Sequence, residues 1–280
     1  GSIPRFGKTK RIVSYHNFHE TPKDIREIHE RMKSLDPDII KLATMAHNPR
    51  DNVRMLELIG ESETPTVAFC MGDMGTPSRI LGARFGSPFT YATFHQDRTL
   101  APGQLSFQQM RDIYRYDEIT PTTEVYGVIA DPVGHSMSPA IHNAAFRHLN
   151  MDKLYIPIRV PSEDLGDFMS YCRGFGLRGL SVTIPHKEAI LDHIDSTDRA
   201  VDHIGAANTV VMDGFDKTAY NTDFRAALDS IDATLGRGGS VDVLTGRAAI
   251  VLGAGGVAKA IIHALKLRNV EVTIASRTMD

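Results

Sequence analysis

The sequence predicts an α/β protein built on parallel sheets, and three observations carry that prediction. Short β-branched runs alternate with amphipathic helical stretches, a glycine-rich turn joins a strand to a helix near the far end, and the composition is that of an ordinary folded chain. The 280 residues hold 31 basic and 34 acidic side chains, a net charge of −3, with 42% hydrophobic residues. That balance argues against sequence-independent nucleic-acid binding, which needs a basic excess to neutralise phosphates. No run of 18 apolar residues occurs, so no membrane-spanning helix is expected. Cys70 and Cys172 stand far apart without Cys-x-x-Cys or Cys/His spacing, so neither a disulfide scaffold nor a metal site is expected, and a reducing cytosol is the expected compartment. The chain opens Gly1-Ser2-Ile3-Pro4, with no initiator Met and no apolar signal region, from which we expect a piece of a longer protein.

Four strands are expected in the first 115 residues, at Ile12 to Tyr15, Asp38 to Thr44, Pro65 to Met71 and Phe89 to Phe94. Between the first two, Thr21 is a candidate cap and Pro22 suits a first helical turn, with Ile25, Ile28, Met32 and Leu35 on one face. Val53, Leu56 and Ile59 mark a second amphipathic helix. The polar stretch 118–124 (EITPTTE) reads as a linker. A second α/β region follows, with strands at Val125 to Ala130, Tyr155 to Val160 and Gly179 to Ile184, and helices at Pro139 to Leu149 and Ser162 to Gly174. After the glycine-rich segment Gly236 to Ser240 comes one βαβ unit: strand Ala248 to Gly253, helix Val257 to Leu267, strand Glu271 to Ala275.

Two side chains at strand ends stand out in the first region. Lys41 lies in Asp38-Ile39-Ile40-Lys41-Leu42-Ala43, where burial of an ammonium is costly; it either snorkels at an edge or carries a lowered pKa suited to chemistry. His16 follows Ile12-Val13-Ser14-Tyr15 at the carboxyl end of its strand, the end at which (β/α) barrels place catalytic groups, although a structural histidine is the plainer reading. Around them stand Ser14-Tyr15-His16-Asn17-Phe18, Met71-Gly72-Asp73-Met74-Gly75 with Ser78-Arg79, Phe85-Gly86-Ser87 and Ala101-Pro102-Gly103-Gln104. Together, in this order, they resemble the second half of type I 3-dehydroquinate dehydratase over about residues 10–115. The resemblance implies the C-terminal half of a (β/α)8 barrel, with Lys41 forming a Schiff base to a substrate ketone and His16 moving protons. It implies further that Arg79 clamps the substrate carboxylate and that Gln104 bonds substrate hydroxyls. A surface ion pair is the plain alternative for Arg79. Leu100 replaces a usual small hydroxyl residue and Asn17 a usual Asp. A complete barrel needs eight such units, about 250 residues, so the half barrel as cut is expected not to dehydrate dehydroquinate.

In the second region, Asp131-Pro132-Val133-Gly134-His135-Ser136-Met137-Ser138-Pro139 sets two hydroxyls before a helix. Ser138 followed by proline reads as a helix cap, which leaves Ser136 unexplained. Ser181-Val182-Thr183-Ile184-Pro185-His186-Lys187, Gly205-Ala206-Ala207-Asn208-Thr209 and Tyr220-Asn221-Thr222-Asp223 add a hydroxyl, a lysine, an amide and a carboxylate. Singly, each is a turn or a cap. In this order they resemble the substrate domain of shikimate dehydrogenase over about residues 125–228. The resemblance implies that Ser136, Ser138 and Thr183 hold the substrate carboxylate and the ring face beside it. It also implies that Asn208 and Asp223 grip ring hydroxyls, and that Lys187 and Asp223 relay the hydroxyl proton. Ser181 stands where that family commonly has Asn, and Phe224-Arg225 replace a glycine-containing turn.

Ile250-Val251-Leu252-Gly253-Ala254-Gly255-Gly256-Val257-Ala258 follows a strand and opens a helix, the context of a dinucleotide pyrophosphate site at the start of a Rossmann domain. Gly253 turns the chain, Gly255 admits phosphate, Ala258 packs closely, and Ala254 and Gly256 complete the loop. A tight turn in an unrelated α/β domain is the plain alternative. The next strand ends in Ala275-Ser276-Arg277-Thr278, with no acid for an unphosphorylated ribose and an arginine in its place, so Arg277 and Thr278 are expected to read NADP.

The expected organisation is a half dehydratase barrel at 1–117, a linker at 118–124, a shikimate-binding domain at 125–228 and the start of an NADP domain at 229–280. The expected function joins dehydration of 3-dehydroquinate to NADPH-dependent reduction of 3-dehydroshikimate to shikimate, both small-molecule reactions of the shikimate pathway, in the cytoplasm or in the plastid for a plant parent. Two rivals stay open: a quinate-sensing regulator of the type that resembles these domains, and a monofunctional dehydrogenase with a relic barrel. Retention of His16, Lys41, Lys187 and Asp223 argues against a sensor, and Leu100 favours the relic.

Overall fold

In a computed structural model, residues 7–94, 103–235 and 243–277 are described, and the chain packs as two compact units, 1–178 and 179–280. The first unit opens with β1 (Ile12–Asn17), α1 (Ile25–Lys33), β2 (Ile39–Met45), α2 (Arg50–Glu61) and β3 (Thr66–Met71). These strands form a parallel sheet ordered β1-β2-β3, registered so that Ser14 pairs Lys41 and His16 pairs Ala43. Both faces of β2 are packed, as an internal parallel strand requires: Ile40 and Leu42 are fully buried, and Ile39 and Ala43 join Val67, Phe69 and Met71 on the other face. Helix α3 (Thr76–Leu81) follows β3 directly.

Three expectations for this region are corrected. Phe89 to Phe94 is not a strand. Thr93 makes an isolated bridge to Ser106, its N–H donating to Leu105 and its carbonyl accepting from Phe107, so the backbone groups are satisfied away from β3. Thr21 does not cap α1: its hydroxyl meets Thr44 Oγ1 at 2.8 Å and donates to the carbonyl of Met45, which pins the loop to the sheet, and the helix begins only at Ile25. Leu35 lies beyond α1 and is 59% exposed, whereas Ile25, Ile28 and Met32 are buried.

The first unit continues with β4 (Glu124–Ala130), α4 (Ser138–His148), β5 (Lys153–Arg159) and α5 (Leu165–Tyr171). Strands β4 and β5 are parallel. The stretch 118–124 is held by threonine hydroxyls: Thr123 Oγ1 accepts from the Thr120 N–H at 2.9 Å and donates to Asp152 at 2.7 Å. Expected as a cap, Ser138 is instead the first residue of α4, and no side-chain cap bond forms there. The Ser136 hydroxyl accepts the Ser138 N–H at 3.3 Å. Helix α3 packs on β5, and α2 packs on the turn Cys172–Phe175. That second contact is close: a Cβ on Gly174 would stand 2.4 Å from Val53 Cγ1. Arg84 Nε donates to the Thr123 carbonyl at 2.9 Å, and the Arg50 guanidinium lies 5.5 Å from the Tyr171 ring. Cys70 and Cys172 are both buried free thiols.

Strand β6 (Leu177–Val182) runs into the second unit, followed by β7 (Ser196–Thr197), α6 (Arg199–Ile204), β8 (Thr209–Asp213), β9 (Asp216–Tyr220), α7 (Asp223–Leu235), β10 (Ala248–Leu252), α8 (Gly256–Lys266) and β11 (Glu271–Ala275). β6 pairs antiparallel with β8, β8 antiparallel with β9, and β9 parallel with β7. Strands β10 and β11 are parallel around α8, the βαβ unit read from the sequence. Its core of Leu228, Val251, Ala264, Leu265 and Val270 is covered by α7, and Ala258 packs against the same cluster. Among the described residues no helix is long and apolar enough to cross a membrane, and no group of three or more His, Cys, Asp or Glu residues could hold a metal ion.

Candidate active sites

The first site is built on one face of the three-stranded sheet. Parallel register and strand alternation put His16, Lys41 and Ala43 on the same face. The Lys41 ammonium lies 4.1 Å from the centroid of the Tyr91 ring. Burial, and then the positive charge of Arg79, hold the lysine below its ordinary pKa. His16 is likewise lowered, by burial first and by Lys41 second. An amine that sheds its proton easily, beside a histidine that favours its neutral form, is the pairing that imine chemistry needs.

Arg79 is placed by a network that starts in the sequence Gly72 to Arg79. Gly75 sits where a Cβ would be 2.5 Å from the backbone of Cys70, so only glycine lets α3 start this close to β3. The Ser78 hydroxyl accepts from the Cys70 N–H at 2.9 Å and donates to the Gly75 carbonyl, while Asn52 Oδ1 accepts the Ser78 N–H at 3.2 Å. Arg79 is thereby fixed at 2% exposure, its guanidinium 4.3 Å from the Phe69 ring centroid. Its Nε and Nη2 are buried without a hydrogen-bond partner, and burial brings its pKa down to about 10. This corrects the surface-ion-pair alternative. A buried cation with donors to spare suits an anionic ligand, and the guanidinium fork matches a carboxylate. Half-buried Gln104 follows Gly103, which has φ +67° and seats directly on Gly72: a Cβ there would be 2.2 Å from the Gly72 carbonyl oxygen. Leu100, Ala101 and Pro102 lie outside the described residues.

In the second unit, Lys187 Nζ donates to Asp223 Oδ2 at 2.5 Å. Asn208 Nδ2 donates to Asp223 Oδ1 at 2.9 Å and to the Thr222 hydroxyl at 2.8 Å, so each carboxylate oxygen has its own donor. Backbone pairing sets this geometry. The Ala207 N–H donates to the Lys187 carbonyl at 2.7 Å, the Val182 N–H to the Asn208 carbonyl at 2.8 Å, and Asn221 ties its side chain to Ala206 and to the Asp223 N–H. Asp223 is the first residue of α7, where the exposed N–H groups favour a carboxylate. The expected pair thus meets directly, with side chains 13% and 27% exposed. Asn221 and Thr222, which had no role in the sequence reading, orient the aspartate and the asparagine; the Asn-Thr-Asp string was their only signal.

The glycine loop abuts this pair. A Cβ on Gly256 would lie 3.1 Å from Lys187 Cβ and 3.4 Å from Ala206 Cβ, so glycine keeps the loop against the lysine. Gly253 turns at φ +109°, its N–H donating to the Ala275 carbonyl at 2.8 Å, and α8 begins at Gly256. A cavity of about 470 Å³ runs between Thr183 and Lys187 on one side and Gly253, Gly255 and Gly256 on the other. A second, of about 910 Å³, is bounded by Gly253, Ala254, Ser276 and Arg277. Glycine clearance, a helix N-terminus and an exposed arginine beyond the second strand fit a phosphorylated dinucleotide. Thr278 lies outside the described residues. Ser136 and Ser138 belong to the first unit, half-buried at the start of α4.

Comparisons with known proteins find similarity in two successive segments of the chain. Residues 2–121 match the family model of type I 3-dehydroquinase, and residues 128–210 that of the shikimate dehydrogenase substrate binding domain. A bifunctional 3-dehydroquinate dehydratase/shikimate dehydrogenase, chloroplastic, of Arabidopsis thaliana is 35% identical over 98% of this chain and 47% of its own length. The shikimate dehydrogenase (NADP(+)) of Bacillus cereus is 43% identical over 56% of this chain and 55% of its own. The crystal structure of shikimate dehydrogenase from Aquifex aeolicus superposes with a TM-score of 0.52 and 32% identity, covering 56% of this chain and 57% of that one. This chain spans about half the length of the curated relatives it matches. A segment that matches type I 3-dehydroquinase is thus followed by one that matches the shikimate dehydrogenase substrate binding domain, and the similarity to the bifunctional Arabidopsis protein runs through both.

Proposed function

We propose that this chain supplies parts of both active sites of a bifunctional shikimate-pathway enzyme, a 3-dehydroquinate dehydratase joined to an NADP-dependent shikimate dehydrogenase. The dehydratase segment covers 1–117, a linker 118–124, the shikimate-binding segment 125–228 and the start of the NADP segment 229–280. The observation that carries the reading is the Lys187–Asp223 pair at 2.5 Å, braced by Asn208 and touching the glycine loop at Gly256. Bound along Gly253 to Gly256 and Arg277, NADP would supply or accept hydride. Lys187 and Asp223 then take or return the hydroxyl proton, while Ser136, Ser138 and Thr183 hold the carboxylate side and Asn208 a ring hydroxyl. Gly253 to Gly256 would cradle the pyrophosphate, and Arg277 the 2′-phosphate.

In the dehydratase, the Lys41 amine adds to the ketone carbon and water leaves, giving an imine. His16 removes the neighbouring C–H proton and returns a proton to the departing hydroxyl, and hydrolysis of the imine frees Lys41. Arg79 holds the carboxylate and Gln104 a hydroxyl. The product of this step is the substrate of the other, which supports the pairing. The cytoplasm is the proposed compartment; the Arabidopsis relative is a chloroplastic protein. In the full-length protein, borohydride with dehydroquinate should trap a Lys41 adduct, and shikimate should reduce NADP. Binding of both acids without either reaction would favour a sensor and overturn the reading.

A further inference from the structure

Arg159 closes β5 opposite Ala130, and its side chain reaches two carboxylates from two different segments. Its Nε donates to Asp131 Oδ1 at 2.8 Å, with both side chains about one-third exposed, and its Nη1 stands 3.9 Å from Asp73 Oδ2. Asp131 is the root of the turn that carries the two serines. Beyond it Val133 is buried, the Val133 carbonyl accepts the Ser136 N–H at 3.0 Å, the Ser136 hydroxyl accepts the Ser138 N–H, and α4 begins. Asp73 follows Gly72, the residue on which Gly103 and hence the Gln104 loop is seated. One planar guanidinium therefore stands between the turn that positions Ser136 and Ser138 and the turn that supports Gln104. A lysine, a point charge on a flexible stem, would not span both carboxylates in this way.

We propose that Arg159 is a positioning residue that fixes the root of the Asp131–Ser138 turn and fastens it to the Gly72–Gly75 turn of the dehydratase segment. The part that concerns substrate rests on the reading of Ser136 and Ser138 as shikimate contacts; the part that concerns the two turns does not. Asp131 is the firm arm, at hydrogen-bond distance and partly shielded. Asp73, 79% exposed and at 3.9 Å, is the weaker one. The β5 backbone itself is held by its register with β4 and by the packing of α3, so removal of the guanidinium loosens turns rather than the strand.

Two measurements on the same protein separate the claims. Amide hydrogen exchange, which needs no ligand, should speed up about fivefold in residues 131–138 for Arg159→Met, and less in residues 72–75, with β4 and β5 unchanged. Titration with shikimate should show weakening of about five- to tenfold in Arg159→Met, while Arg159→Lys, which keeps the Asp131 arm, stays within about twofold and still loosens residues 72–75. Asp131→Asn should reproduce the Arg159→Met loss, and the two substitutions together should add nothing further. Unchanged exchange at 131–138 in Arg159→Met, or an equal rise throughout the first unit, would overturn the positioning role. If the parent protein does not bind shikimate, the proposed function fails, and the exchange measurement still decides the role of Arg159.

Discussion

Gly174→Ala is expected to destabilise the first unit, by an amount that follows from one contact. The new Cβ would stand 2.4 Å from Val53 Cγ1, 3.2 Å from Cγ2 and 3.4 Å from Cβ. Carbon atoms rest about 3.5–4.0 Å apart, so one methyl must retreat by more than about 1 Å. Val53 is 5% exposed within α2, and a helical valine strongly prefers one rotamer, so rotation gives no relief. The helix and the turn Cys172–Phe175 must separate, and overpacking of this kind costs about 1–3 kcal/mol. For a unit of this size, that lowers the melting temperature by about 2–12 °C. Circular dichroism melts of the parent, Gly174→Ala, Val53→Ala and the double variant form the assay. Because Val53→Ala removes the two methyls in the way, the double variant should recover about 1 kcal/mol or more relative to the sum of the single changes. A Gly174→Ala melt within about 1 °C of the parent, or strict additivity in the cycle, would refute the reasoning.

Other outcomes follow from the sites. In the full-length protein, Lys187→Met and Asp223→Asn should each lower shikimate oxidation by about 10²-fold or more with a smaller change in KM, and the double variant should lose little beyond the worse single one; full additivity would count against a shared proton relay. Lys41 should react with acetic anhydride at a lower pH than exposed lysines, because burial and Arg79 both disfavour its protonated form. Arg79→Met removes one of those causes, so the Lys41 pKa rises and labelling at fixed neutral pH slows, read by peptide mass spectrometry; an unchanged profile would show that Arg79 does not act on it. Burial pushes the Cys70 thiol up to about 12, so neither Cys70 nor Cys172 should react with a disulfide reagent at pH 8 until the protein unfolds. Arg277→Ala should reduce the preference for NADP over NAD about tenfold, since a charge-assisted phosphate contact is worth about 1.5–3 kcal/mol; an unchanged ratio of efficiencies would place phosphate recognition elsewhere.

Strand positions were legible in the sequence where hydrophobic runs met parallel pairing, as in Ile39–Met45, because burial on both faces writes a continuous apolar string. The same logic misled at Phe89 to Phe94. Phe89 and Tyr91 alternate as strand residues would, yet they pack edge to face at 5.7 Å on the end of the sheet. Alternation reports which side chains are buried, not where the backbone hydrogen bonds go. The hairpin of β8 and β9 went unread although Asp213-Gly214-Phe215-Asp216 carries a two-residue turn signal, with Gly214 at φ +54°. Thr21 shows a different limit: a hydroxyl before a helix suits a cap equally well as a tie to a distant strand, and only the fold selects. Lys41 and His16 drew notice as unusual side chains on their strands, whereas Lys187 and Asp223 were singled out only through the family resemblance of the strings around them. The environment of Arg79 was not legible, because a local string does not reveal that burial and the Phe69 ring surround its guanidinium.

That environment has a thermodynamic meaning for the folded chain. Native proteins hold a margin of only about 5–15 kcal/mol over the unfolded state. Burying a guanidinium to 2% exposure draws on that margin. Folding thus places the cation largely out of bulk solvent. An incoming carboxylate meets a partner already buried on folding, so less of the attraction is spent on desolvation and more appears as affinity. Tight recognition and a less stable empty state are then two readings of one free energy. Replacing the buried Arg79 with an apolar side chain should make the fold sturdier as it makes the site blind to its ligand.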